Sequence, residues 1–403
     1  MVFPKNHRLL MRLGFHYHIP ATLIDDKICT TSYLGLFLDG LAAHFEHVVV
    51  FLHSPRADEL PQMDYALMAE NITLAPLAAH LSVPRRLLTG KRTARKIAQD
   101  IRAFQIDLLL LRAPTPLLPL IVDATIGVCQ HALLVVGDMR DHLQNLRQPW
   151  WRKGFVRRYI HWNEERQEQL ARSMLVFTNS AIFYERYKPI AQRVSLVRTT
   201  TLSKTDFFER TTFTVRKPIK VLYTGRIEAG KGLLLIAAAV VGLIQQGIDC
   251  QWDIVGWSEP GDDTDLQIQA IFNRAGLQEK VVFHGKKKAG EALFDYYRKA
   301  DVFVIASLLA EGFPRTIWEA LANALPVIAT PVGSIPYYLK HEENALLVQP
   351  EVGDIMAKIR LLYDHPDLCK TLAYNGLITA RESTIAVQSK KMAQEIKDYA
   401  QIA

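Results

Sequence analysis

The chain has 403 residues, of which 49% are hydrophobic and 22% charged. That length points to two domains of roughly 150–200 residues each, and the composition is that of an ordinary globular chain rather than a disordered one. Residues 1–200 hold 25 Lys and Arg against 17 Asp and Glu, while residues 201–403 hold 23 against 24. The excess of positive charge in the first half calls for an anionic partner there.

Cys29, Cys129, Cys250 and Cys369 are scattered without a C-x-x-C pair, which fits buried thiols in a reducing cytoplasm better than a disulfide framework or a zinc site. No signal peptide is expected, since "MVFPKNHRLLMRLG" lacks an apolar stretch ending in small residues. The apolar run 107–137 is broken by Arg112, three prolines and Asp123, and the run 232–244 is too short to cross a membrane.

In chain order, "RLLMRLGFHYH" leads to the helical pattern "SYLGLFLDGLAAHF". The apolar strand "HVVVFLH", a basic helix near 85–104, the strand "IDLLLLRAP", a helix near 116–127 and the strand "HALLVVGD" follow. The stretch 199–217 is polar and patternless and reads as a linker. Beyond it the alternation is clearer. "IKVLYTG" and "CQWDIVGW" are strands, each followed by a helix. "KVVFHG", "DVFVIAS" and "PVIAT" continue the series. Short apolar strands alternating with helices predict βαβ units and parallel sheets covered on both faces, with ligands beyond the carboxyl ends of the strands.

"GRIEAGKG" (225–232) sits between a strand and a helix. It matches seven positions of G-x-x-x-x-G-K-[ST], but Gly232 stands where that motif needs a hydroxyl for magnesium. Arg226 and Lys231 instead bring two cations to a helix N-terminus, a combination suited to a diphosphate without a metal. The second stretch is "LLAEGFPRTIWEALANALPVIAT". Glu311 lies in the loop after a strand, Pro314 in the first turn of the next helix, and Glu319 within that helix. Carboxylates so placed accept hydrogen bonds from sugar and ribose hydroxyls. Each stretch alone is also explained by a solvated turn or by the helix dipole.

Together, "YTGRIEAGKG" and "EGFPRTIWEALANALPVIATPVGSIPYYL" resemble the retaining glycosyltransferases of family 4, over most of residues 219–365. The resemblance implies an α/β GT-B fold, with two Rossmann-like domains facing across a cleft. Residues 1–205 would be the acceptor-binding domain, 206–383 the nucleotide-sugar-binding domain, and 384–403 a helix packing back on the first. It implies that Gly225, Arg226 and Lys231 hold the donor diphosphate and Glu319 the ribose. Glu311 would touch the transferred sugar, beside the backbone of Gly312 and Phe313. Arg226, Lys231, Glu311 and Asp138 form the implied catalytic set. No cofactor is implied beyond a UDP-sugar or GDP-sugar donor, and no metal.

The first half departs from the family. Its usual Gly-Gly pair is replaced by "TTSYLGLF", with Gly35 alone, and its usual histidine after an N-terminal strand is replaced by Asp138. Acceptor contacts are expected from His16, Gly35, Arg112 and Asp138, although a structural role for His16 and for its neighbour His18 fits equally well.

Asp263-Thr-Asp265 has the Asp-x-Asp form of metal-dependent sugar transferases, and helix capping explains it as well. In "PWWRKGFVRRYIHW" (149–162), Trp151, Phe155, Tyr159 and Trp162 share a helical face flanked by four cations; residues 84–102 add seven cations against one acid. Both segments suit an anionic membrane surface, and both equally suit helices packed on their own sheet. The expected location is cytoplasmic, with attachment to the inner face of the membrane as the arrangement these helices would allow. The expected activity is transfer of a sugar to a glycan, lipid-linked or small-molecule acceptor. The rivals are another GT-B enzyme, either an inverting transferase or a sugar-nucleotide epimerase, and a nucleic-acid-binding protein. Nucleic acid is not an expected partner, because no motif for it is present.

Overall fold

The computed structural model describes residues 11–143, 150–213, 217–288, 290–309 and 312–402. The chain divides into two units: the first runs to Thr201 and takes in the chain from Ile385 onward, and the second spans Leu202–Thr384. The sequence reading places the first boundary at 205/206. The observed one falls earlier because Leu202 is fully buried in the second unit's core.

In the first unit the parallel strands lie in the spatial order Arg193–Leu196, Leu175–Thr178, Gln130–Val135, Leu108–Ala113, Arg12–Ile24, His47–Ser54 and Ile72–Leu74. Val48–Leu52 and Leu108–Leu111 are completely buried, which is why these strands read as unbroken apolar runs. Past His16 the register of the first strand shifts, and its far end pairs antiparallel with Lys27–Thr30. The helix Val83–Ala103 buries Arg86, Gly90, Ala94, Ile97 and Ile101 along one face, and Gly90 allows close approach of Leu117 and Leu120. From the last helix, Ile385–Ile402, the side chains Met392, Ala393, Ile396 and Tyr399 join the first unit's core.

The second unit is a six-stranded parallel sheet in the order Val281–Phe283, Cys250–Ser258, Ile219–Ile227, Val302–Ile305, Val327–Ala329, Leu346–Leu347. In both units the earliest strand is central and the order reverses beside it. In the first unit this switch point lies between Arg12–Ile24 and Leu108–Ala113, in the second between Ile219–Ile227 and Val302–Ile305. Doubly wound sheets bind ligands at such points, where the loops from neighbouring strands diverge. No helix among the described residues is long and apolar enough to cross a membrane.

Candidate active site

The two motifs of the second half flank its switch point. The strand Ile219–Ile227, in which Gly225 takes φ +138°, leads into a tight turn that ends at Gly232 with φ +67°. A side chain on Gly232 would place its Cβ 2.0 Å from the Ala306 carbonyl oxygen, so the helix Leu233–Gln245 begins pressed against the neighbouring loop. The Leu308 amide donates to Gly230 O at 2.9 Å, joining the same two loops. The hydroxyl of an ATPase loop is thus excluded at residue 232 by backbone contact. The amides of Lys231 and Gly232 are committed within the turn, to Glu228 O and Ala229 O. The backbone amides left for an anion here would be those of the first helical turn, beside the side chains of Arg226 and Lys231. Arg226 and Lys231 both lie near Glu228, at 3.6 and 4.0 Å, with Arg226 half exposed and Lys231 largely covered.

Glu319 is 7% exposed, on the helix Arg315–Ala322. Its Oε2 accepts a hydrogen bond of 2.7 Å from Tyr297, whose hydroxyl also meets Thr224 Oγ1 at the end of the first strand. Burial raises the Glu319 pKa, with Asp206 adding to it, while the Tyr297 hydrogen bond and the Arg315 charge oppose the rise. The chain Thr224–Tyr297–Glu319 ties the two motifs together, and Tyr297 lies outside both of them. Pro314 is the residue before the helix rather than within its first turn. The Phe313 ring packs on Trp318 at 4.0 Å and edge-on to Tyr338, so it anchors the loop while its backbone stays beside Gly312. Glu311 lies outside the described residues.

Asp262, rather than Asp263, caps the helix at Thr264, through its Oδ1, and Asp263 Oδ1 accepts from Gln267. Among the described residues no group of three or more His, Cys, Asp or Glu converges as metal ligands.

The first-unit candidates are scattered in role. Gly35 lies in the helix Ser32–Ala42, where an added Cβ would fall 2.2 Å from the Tyr65 ring, so the glycine is packed against Tyr65. Asp138 is buried, and its carboxylate is held by Arg140 and by Arg186. Both arginines also reach Glu168, so Asp138 ties a turn to two helices rather than standing open to substrate. Beside it Glu164 accepts from the Met139 amide, and burial with the Asp138 charge pushes its pKa up to about 7. Arg112 lies over the rings of Tyr17 (4.3 Å) and Tyr33 (5.0 Å) and donates to the Tyr33 hydroxyl. His16 is completely buried at the switch point. Trp151, Phe155, Tyr159 and Trp162 all fall within the helix Trp150–Ala171, with the Tyr159 and Trp162 rings 6.0 Å apart. Tyr159 bonds Pro116 O, Phe155 and Trp162 are exposed, and Trp151 is not described beyond its backbone.

Residues 205–378 match the family described as Glycosyl transferases group 1. The chain is 30% identical over 153 residues to the amylovoran biosynthesis glycosyltransferase AmsK of Erwinia amylovora, covering 37% of this chain and 36% of AmsK. It therefore spans about a third of that relative's length. Over 260 residues it is 27% identical to the MMP alpha-(1->4)-mannosyltransferase of Mycolicibacterium hassiacum, covering 61% of each chain. The Anabaena protein Alr3699/HepE, solved with UDP, superposes with a TM-score of 0.70 at 17% identity, over 96% of this chain and all of that one. That likeness concerns the fold, which is GT-B, with two Rossmann-like units in one chain.

Proposed function

We propose that the protein is a glycosyltransferase that moves a sugar, with retention and without a metal, from a UDP-sugar or GDP-sugar to a glycan, lipid-linked or small-molecule acceptor. The observation that carries this reading is the meeting of the two motifs at the second unit's switch point. There the Gly225–Gly232 turn and the loop before Arg315 are hydrogen-bonded to one another, and Glu319 is joined to the strand end through Tyr297. The matched family and the named transferase relatives support the reaction class.

Departure of the sugar passes through an oxocarbenium-like state while negative charge grows on the leaving diphosphate. Arg226, Lys231 and the N-terminus of the helix at Leu233 would meet that charge. Glu319 would accept from the ribose, and Glu311, by the resemblance alone, from the transferred sugar. An acceptor attacking from the face that the diphosphate leaves needs no carboxylate nucleophile, which agrees with the commitment of Asp138 to two arginines.

The test is calorimetric titration of UDP, GDP, ADP and their sugar conjugates, in EDTA, into the wild type and Lys231→Ala. One nucleotide should bind without metal, and the substitution should weaken it by roughly tenfold or more, the value of a charge-assisted hydrogen bond. No binding, or binding of ATP with magnesium alone, would overturn the reading. The anomeric configuration of the product separates retention from inversion.

A membrane surface enters as a second element. Phe155 is 79% and Trp162 51% exposed on a helix that also exposes Arg152, Arg157 and Arg158, a basic and aromatic face suited to an anionic bilayer and to a lipid-linked acceptor.

A further inference from the structure

The first unit carries a group of buried cationic and imidazole side chains to which no role has been given. Arg86 is 9% exposed, in the first turn of the helix Val83–Ala103, and its Nε and one terminal nitrogen are buried without a hydrogen-bond partner. It makes no ion pair among the described residues. The carboxylate within its electrostatic reach, Glu59, is engaged by the Arg56 amide and guanidinium and by His80. His16, completely buried, has neither ring nitrogen satisfied. His53 is buried and bonds Ala78 O through Nδ1, while its Nε2 is unsatisfied. His18 is partly buried, as is His80, and their rings lie 6.2 Å apart at the edge of the group.

These residues come from separate elements that meet at one place. His16 is the last residue of the first strand paired with both neighbours, opposite Phe51 and Leu111, before the register shifts. His53 is near the carboxyl end of the adjacent strand, and Arg112 near that of the strand on the other side. This is the first unit's switch point, where a doubly wound sheet takes its ligand. Burial lowers the pKa of His16 to about 3 and of His18 to about 4, with the neighbouring histidines and Arg86 adding to the fall in both and Arg112 in His18. The imidazoles of His16 and His18 are therefore neutral at pH 7 and each offers one N–H, whereas the N–H of His53 is spent on Ala78 O.

An uncompensated buried guanidinium with unused donors destabilises the free protein, and unsatisfied groups of this kind demand a partner. A cation would be repelled by Arg86. An oxyanion would take the guanidinium N–H groups and the N–H groups of His16 and His18 together. We propose that Arg86, with His16 and His18 beside it and His53 lining the group, forms an oxyanion subsite that receives a phosphate or carboxylate group of the acceptor. That the oxyanion belongs to an acceptor rests on the transferase reading; that the subsite binds an oxyanion does not.

The experiment uses the full chain labelled with 13C,15N-histidine, titrated at pH 7 with inorganic phosphate and, separately, with D-glucuronate. Resonances of His16, His18 and His53 are assigned by single substitution to Asn. A saturable shift of at least two of them with one titrant is expected. The titrant that binds more tightly distinguishes a phosphorylated from a uronic acceptor. Arg86→Gln should weaken the binding about 10- to 100-fold, and Arg86→Lys should keep part of it. If Arg86→Gln does not fold, the wild-type titration and Arg86→Lys still decide the matter. Silence of all three histidines up to a high concentration of both anions, or an unaltered response in the Arg86 variants, overturns the subsite. The response should persist in Lys231→Ala. Silent histidines in a protein that still binds a nucleotide would sink the subsite alone, whereas responsive histidines without nucleotide binding would sink the transferase reading alone.

Discussion

Replacing Gly232 by alanine tests whether the candidate donor turn is held by backbone contact. Two penalties add. The residue sits at φ +67°, in the left-handed region, where a Cβ costs about 1–2 kcal/mol. The new Cβ would also lie 2.0 Å from Ala306 O, an overlap relieved only by moving backbone, at about 1–3 kcal/mol more. The sum, about 2–5 kcal/mol, corresponds to a fall in Tm of roughly 5–15 °C for a domain of this size. Gly247→Ala is the matched control, because φ there is +84° and nothing lies within 4 Å of the added carbon. It should lose only the backbone part, about 1–2 kcal/mol. Thermal unfolding of both variants, followed at the tryptophans, gives the difference, and titration of UDP and GDP gives the consequence for the site. Gly232→Ser, which completes the ATPase-like motif, should behave like Gly232→Ala and gain no affinity for ATP with magnesium. Equal Tm values for Gly232→Ala and Gly247→Ala, with nucleotide affinity unchanged, would refute the contact argument.

Glu319→Gln should stabilise the ligand-free protein at pH 7 while weakening its nucleotide, as expected of a carboxylate kept buried for binding. Because the folded pKa is raised above 4.5, the folded protein holds this proton longer, so stability falls as pH climbs through the raised value. Chemical denaturation between pH 4 and 8 should show that slope in the wild type and a flatter one in the variant. Asp138→Asn should lose about 1–3 kcal/mol, discounted for the partial exposure of Arg140 and Arg186. An unchanged Tm with transfer abolished would return Asp138 to the catalytic set. Replacing both Phe155 and Trp162 by serine should reduce co-flotation with vesicles rich in anionic lipid several-fold, and equal flotation of variant and wild type would remove the membrane face.

The parallel sheets were legible from unbroken apolar runs such as "HVVVFLH", because a strand covered on both faces has no polar alternation to confuse it with. The candidate donor turn was legible for a related reason: a strand, a glycine-rich turn and a helix are consecutive, so Arg226 and Lys231 share one short loop whatever surrounds it. Even the missing hydroxyl at 232 could be read, though its cause could not. Only the folded chain brings Ala306 against that glycine. Tertiary structure also decided everything that depends on residues far apart in sequence. Tyr297 belongs to neither motif, yet it joins Thr224 to Glu319. Gly35 and Asp138, read as acceptor contacts, are covered by Tyr65 and clamped by two arginines. Arg86 looked like one more cation on a basic helix, and packing turned it inward beside three histidines contributed by two strands. A motif records what neighbours along the chain do together; burial and pairing between distant segments are set by which faces the sheet brings into contact, and local pattern carries no record of that.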